Sequence, residues 1–402
     1  MSAPQQPPGP ASDGPAPYGS DPYGAGPRPQ PGQPVPGGQP NPYGQADGQP
    51  GTFGRPNPYN PAGGQSGPVN PYGQPMPPHA QPGLGPGWQP SPLPDGPRDY
   101  QQMLRGPRYR GWRPVLAILL CLGFALGAQM VLGIALVIIV IASGGDLNSM
   151  LATLTAEEMG PLAFGYVMAG LICLIPSAMF ANWIAHGIRP KFLSSVAGGF
   201  RWRWLSRCLM ITVPLFAIYL GVEFLIGWDY GPRPQHWVAL LIMVVIGIPF
   251  QSAGEEYAFR GFILQNVGAW FRNPKVGLAV AMIPSIVLFA LAHGSFDPWI
   301  FLDLAIFATS SGILLWRTGG LEASIALHAT NNVAIMIPTI LFGGWANAFV
   351  SSKSQGSPLV PLATLIINGL AVLVILQLAK REHLQRTYRP QPIAAPGQPA
   401  LR

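Results

Sequence analysis

The chain has 402 residues, a formal net charge of +7, 48% hydrophobic residues, 50 glycines and 48 prolines. These figures exclude a single soluble domain of even composition, because glycine and proline crowd the front and apolar runs crowd the rest. Cys121, Cys173 and Cys208 fall in or beside apolar runs. Their spacing suits neither a disulfide framework nor a zinc knuckle.

Residues 1–98 contain no apolar run and repeat a Pro-Tyr-Gly unit at Tyr18, Tyr23, Tyr43 and Tyr72, with a Pro-Tyr-Asn variant at Tyr59. Such a segment cannot bury enough apolar surface to offset its ordering entropy, so a disordered cytoplasmic tail is expected. No basic stretch with a short apolar run behind it opens the chain, and no cleavable signal peptide is expected.

From Trp112 the composition inverts. Eight apolar segments follow, at 114–142, 161–185, 205–227, 237–270, 276–294, 299–316, 321–341 and 361–379. Most are long enough to cross about 30 Å of hydrocarbon at about 1.5 Å per residue. The expectation is an all-α polytopic membrane domain over 99–385, with a motif core at 205–341, and a short cytoplasmic tail at 386–402. Lysine and arginine set its orientation. They stand before the first span (Arg105, Arg113), between spans two and three (Lys191, Arg201), between four and five (Arg272, Lys275), between six and seven (Arg317) and after eight (Lys380, Arg389). The opposite joints carry only Arg233 and Lys353. Both termini are therefore expected in the cytoplasm of a multi-pass cell-membrane protein. Topology explains the positive charge, and nucleic acid need not be invoked.

The fourth span is apolar only over its first half and then carries Glu255-Glu256-Tyr257-Ala258-Phe259-Arg260. Carboxylates at membrane depth are costly and usually mark function. On a helix Glu256 and Arg260 share a face and can pair, while Glu255 points away and is left for other work. Asn273-Pro274 marks the turn into span five. Glu255 lies 18 residues before Asn273 and His293 lies 19 after Pro274. Antiparallel helices therefore bring the two to one depth. Phe289 and His293 share a face, and Gly294 is expected to permit close backbone approach. In span seven His328 and Asn332 share a face. Asp303 and Glu223, with no motif around them, read as structural or rim residues.

Two chemistries fit these residue types. In one, Glu255 is a general base for water, helped by His293, while His328 and Asn332 donate to a developing oxyanion. In the other, zinc is held by His293, His328 and Glu255, with an open position for water. Neither a His-Glu-x-x-His nor a Gly-x-Ser-x-Gly motif occurs.

In this order and on successive spans, Glu255-Glu256-x-x-x-Arg260, Phe289-x-x-x-His293 and His328-x-x-x-Asn332 resemble the motifs of the CPBP intramembrane endopeptidases. That family includes type II CAAX prenyl proteases and bacteriocin-processing or immunity proteins. The resemblance covers about residues 205–341. It implies an eight-helix protease whose site lies in the bilayer and opens toward the cytoplasm. It also implies that Glu255 and His293 activate water, that His328 and Asn332 form the oxyanion hole, and that Glu256, Arg260 and Phe289 support them. The older family description is metalloprotease; the metal-independent glutamate mechanism is the one expected here, with no cofactor required. The expected function is endopeptidase action on membrane-associated or lipidated peptides. The rivals are a non-catalytic scaffold or bacteriocin-immunity protein, and a proton-coupled transporter using Glu255 and His293 as a relay. Against the transporter, the sequence shows no duplicated halves with broken helices.

Overall fold

Each apolar run becomes a helix, because a segment in hydrocarbon must satisfy its own backbone hydrogen bonds. In a computed structural model of the chain, residues 91–154 and 159–390 are described, all within the unit Pro82–Arg402. Eight helices among them are long and apolar enough to cross a membrane. They are α1 (Arg113–Ala142), α2 (Pro161–His186), α3 (Trp202–Ile226), α4 (Trp237–Gly268), α5 (Pro274–Ala292), α6 (Pro298–Thr318), α7 (Glu322–Phe342) and α8 (Leu359–Arg381). Among the described residues there is no strand, only two isolated bridges. The chain is thus an all-α, multi-pass membrane protein. Leu119, Leu126, Met130, Ile134 and Ile141 of α1 are exposed, as residues facing lipid should be.

The helix ends follow local chemistry. Proline opens α1, α2, α5 and α6, where its missing N–H costs nothing. Asn273 and Asp297 cap α5 and α6, accepting from Lys275 N (2.9 Å) and Trp299 N (2.9 Å). Gly187 and Gly319 close α2 and α6 in the left-handed region, at φ 73° and 70°. Within α2 the helix breaks at Cys173. Pro176 stands three residues on, and its ring opposes the carbonyl of Ile172 in the preceding turn.

The joints between α2 and α3, α4 and α5, and α6 and α7 meet both flanks at one end of the bundle. Arg98 and Tyr388 exchange backbone hydrogen bonds (3.2 and 2.8 Å), tying the two flanks together. Gln101 Nε2 donates to Pro274 O (2.9 Å), Gln102 Nε2 to Phe271 O (2.7 Å) and Arg105 Nη1 to Ala269 O (2.6 Å). Tyr100 donates to the Leu193 carbonyl, and burial pushes its phenol well above the ordinary range, so that proton stays. Arg201 Nη2 pairs with buried Glu322 at 2.6 Å. Every Lys and Arg of residues 91–390 lies at this end except Arg233, Arg260 and Lys353. Asp146, Asp229 and Asp297 mark the opposite, acidic end.

The expected tail falls outside the described residues up to 90, as do residues 391–402 of the C-terminal tail. Residues 91–98, assigned to the tail by composition, and Arg386–Arg389, assigned to the other, are described and packed on the basic end. Tyr388 is buried there, and Phe192 meets it ring to ring at 6.0 Å.

Candidate active site

α4 does not run as a plain α-helix through its carboxylates. Residues Glu256–Phe262 are π-helical, and Ile263 N–H reaches back to the Ala258 carbonyl. A π turn adds a residue to the ladder, so side chains before and after it leave the α-register. Directly ahead of it, Gly254 permits close crossing of α2, because a Cβ there would run into the Leu171 carbonyl.

Glu255, Glu256, Arg260 and His328 are all buried. His328 lies between the two carboxylates: its Nδ1 is 2.8 Å from Glu256 Oε1 and its Nε2 is 3.5 Å from Glu255 Oε2. One imidazole thus faces an acceptor on each ring nitrogen. Glu256 also pairs with Arg260 Nη1 at 3.5 Å, as the helical spacing predicts. Arg260 stands over aromatic rings, its guanidinium carbon 3.8 Å from the Phe289 centroid and 5.9 Å from that of Phe307. Phe289 further meets His293 (4.7 Å between centroids) and His328 (5.8 Å). It is the apolar hub on which the charged groups are set.

Gln251, one turn before Glu255, donates Nε2 to Glu255 Oε1 at 2.5 Å. Asn332 Nδ2 points at the same group, 3.4 Å from both Gln251 Oε1 and Ser252 Oγ. Asn332 itself accepts from Asn331 Nδ2 at 3.1 Å.

Two cavities meet here. One, about 570 Å³, is lined by Glu223, Phe289, His328 and the start of α8. The other, about 510 Å³, is lined by Gln129, Gln251, Glu255 and residues 348–350. His293, Asp303, Asn331 and Asn332 line both. Glu255 and His293 therefore share a cavity, as their matched depth in the hairpin requires. His328, however, is the histidine within ion-pair distance of Glu255. His293 caps α5 rather than lying inside it, with Nδ1 2.9 Å from the Phe289 carbonyl. Gly294 is the cause of that ending: it stands at φ +73°, and a Cβ there would meet open space. Its use is the left-handed turn, not the close backbone approach expected.

Among the described residues, no group of three or more His, Cys, Asp or Glu side chains is placed to hold a metal ion. The zinc set His293, His328 and Glu255 does not converge as a metal-holding group in this arrangement.

Sequence reading missed Gln251, Ser252 and Phe307 and set aside Asp303. Gln251 had a signal, since it precedes Glu255 by four residues. Asp303 had none, because only the packing of α6 against α5 and α7 turns it to the cavity.

Residues 234–334 match the family model described as type II CAAX prenyl endopeptidase Rce1-like. That stretch holds every motif residue from Glu255 to Asn332, and over it the resemblance read from the motifs is borne out. The chain is also similar to the uncharacterized protein YyaK of Bacillus subtilis (strain 168), 26% identical over 159 residues, or 38% of this chain and 51% of that protein. The chain thus spans about half the length of the curated relative it matches. No solved structure matches it.

Proposed function

We propose, from the type II CAAX prenyl endopeptidase similarity of residues 234–334 and the geometry they build, that the chain is an intramembrane endopeptidase with both termini cytoplasmic. Glu255 is the base. It takes a proton from water as the water oxygen attacks the scissile carbonyl carbon. Negative charge then develops on the carbonyl oxygen and is received by His328 Nε2–H and Asn332 Nδ2–H. His293, on the wall shared by both cavities, orients the water. It then helps pass the proton from Glu255 to the leaving amine as the C–N bond breaks. Glu256 is the orienting partner: His328 acts with both ring nitrogens protonated, donating Nδ1–H to Glu256 Oε1 and turning Nε2–H toward the reacting oxygen. Arg260 fixes Glu256 and Phe289 together.

One observation carries this reading: a carboxylate and an imidazole 3.5 Å apart, both buried, at the junction of two cavities that Asn332 also lines. Gln251 holds one oxygen of Glu255 and leaves Oε2 for water. The substrate is a peptide embedded in or attached to the membrane. The test is hydrolysis of a membrane-peptide library by purified protein, read by mass spectrometry, with Glu255→Gln as control. Products from both proteins, or from neither, would reject the proposal.

A further inference from the structure

We infer that Asp303 is a positioning residue of the reaction: it holds the imidazole of His293 while that ring carries the proton from Glu255 to the leaving amine. This rests on the hydrolytic reading above and adds to it a carboxylate that no motif marks.

The pairing follows from how α5 and α6 lie together. They are antiparallel and joined by a short turn, with His293 closing one and Asp297 capping the other. Phe289 of α5 stacks on Phe307 of α6, with ring centroids 5.8 Å apart and planes 19° apart. Four residues nearer the joint on each helix stand His293 and Asp303. In an antiparallel pair, one turn taken toward the joint on both helices leads from one facing pair to the next. His293 and Asp303 are therefore the pair that follows the two phenylalanines. The cavities agree with this register. Among the described residues, His293 and Asp303 are the titratable groups that line both.

A carboxylate at membrane depth is costly and usually has a partner. Among the described residues no Lys or Arg lines either cavity. Asp303 Oδ1 is buried without a hydrogen-bond partner. The Thr364 hydroxyl of α8 hydrogen-bonds to the carboxyl, and His293 interacts with its charge. The other titratable groups on the walls are Tyr166, Tyr219, Glu223, Glu255 and His328. Of the two histidines, His328 is held between Glu255 and Glu256, which leaves His293 for Asp303.

His293 is set for proton transfer. Its Nδ1 lies 2.9 Å from the Phe289 carbonyl, which can only accept. Nδ1 therefore carries the hydrogen, and Nε2 is the nitrogen that receives a proton. The O–H bond of protonated Glu255 breaks as an N–H bond forms at Nε2. The ring is then a cation beside Phe289, on which Arg260 already stands. Asp303 supplies the negative charge that offsets it. The Nε2–H bond breaks as the amine N–H forms and the C–N bond opens, and His293 returns to the neutral ring.

The test uses the full chain in vesicles and two membrane peptides that share one acyl segment. They differ in the leaving group, a peptide amine or a phenol. An amine must be protonated to leave, whereas a phenol, with a pKa of about 10, can leave as the anion. Asp303→Asn keeps the size of the side chain and can still accept from Thr364. It is expected to lower kcat on the amide by about 10–10². KM, melting temperature and ester cleavage should stay close to wild type. Asp303→Glu, which keeps the charge, should retain most of the amide activity. Glu255→Gln removes the base and should lose both bonds. Amide-selective loss in Asp303→Asn upholds the inference. Equal loss on amide and ester, or no loss on either, overturns it and leaves the base in place. Hydrolysis of neither peptide by wild type, or of both by Glu255→Gln, rejects the hydrolytic reading and the inference with it.

Discussion

Arg260→Met should destabilise the protein more than a surface change could, and a second substitution should reverse most of the loss. Arg260 is fully buried, 3.5 Å from Glu256 and stacked on Phe289. Removing one partner of a buried pair leaves an uncompensated charge, at a cost of about 3–5 kcal/mol. A desolvated guanidinium over an aromatic face adds about 2 kcal/mol. Two features reduce the sum. Glu256 keeps its hydrogen bond to His328 Nδ1, and methionine refills much of the volume against Phe289 and Phe307. A net loss of about 4 kcal/mol is therefore expected for the single variant. Neutralising the stranded carboxylate in Arg260→Met/Glu256→Gln should recover about 2–3 kcal/mol, since residues in contact couple on that scale. The assay is unfolding by denaturing detergent, with circular dichroism, for wild type, both single variants and the double. If Arg260→Met unfolds with wild type, or the double falls by the sum of the singles, the ion pair does not hold the site together as argued.

Asn332→Ala should lower kcat by about 10²–10³ with KM little changed, because the amide acts only as charge builds on the carbonyl oxygen. A parallel rise in KM and unchanged kcat would place Asn332 in substrate binding. Gly254→Ala should destabilise the protein by about 1–3 kcal/mol, since its methyl meets the Leu171 carbonyl where α2 crosses α4; a wild-type melting curve would contradict that crossing. Deleting residues 1–90 should leave melting and turnover unchanged, whereas deleting 1–106 should abolish folding, because Tyr100, Met103 and Leu104 are buried. Equal behaviour of the two truncations would refute a packing role for residues 100–105. Prolonged chelation should spare hydrolysis; loss of activity that zinc restores would instead assign the metal chemistry to His293, His328 and Glu255.

The spans were legible because hydrocarbon thickness leaves little freedom. A run of 237–270 is expected and Trp237–Gly268 forms. The Asn273-Pro274 turn is equally local, since cap and ring constraint act within three residues. The segment at 100–106 was less legible. It has no periodic apolar run, and Met103 and Leu104 are buried by joints more than 80 residues away in the chain. In the site, residues on one helical turn were readable: Glu256 with Arg260, Phe289 with His293, His328 with Asn332. Which histidine faces Glu255 was not, because it depends on how α7 packs against α4. The π turn at Glu256 left no sequence mark beyond the paired carboxylates themselves. Asp303 and Gln129 joined the cavity through tertiary packing alone, so no motif announced them.

The central claim is that Glu255 is the base, and Glu255→Gln tests it most directly, because size and the hydrogen bond from Gln251 can be kept while the basic oxygen is lost. Turnover of a membrane peptide and the melting temperature should be measured on the same preparation. The account predicts no detectable hydrolysis and a melting temperature close to wild type. Full activity in Glu255→Gln would contradict it.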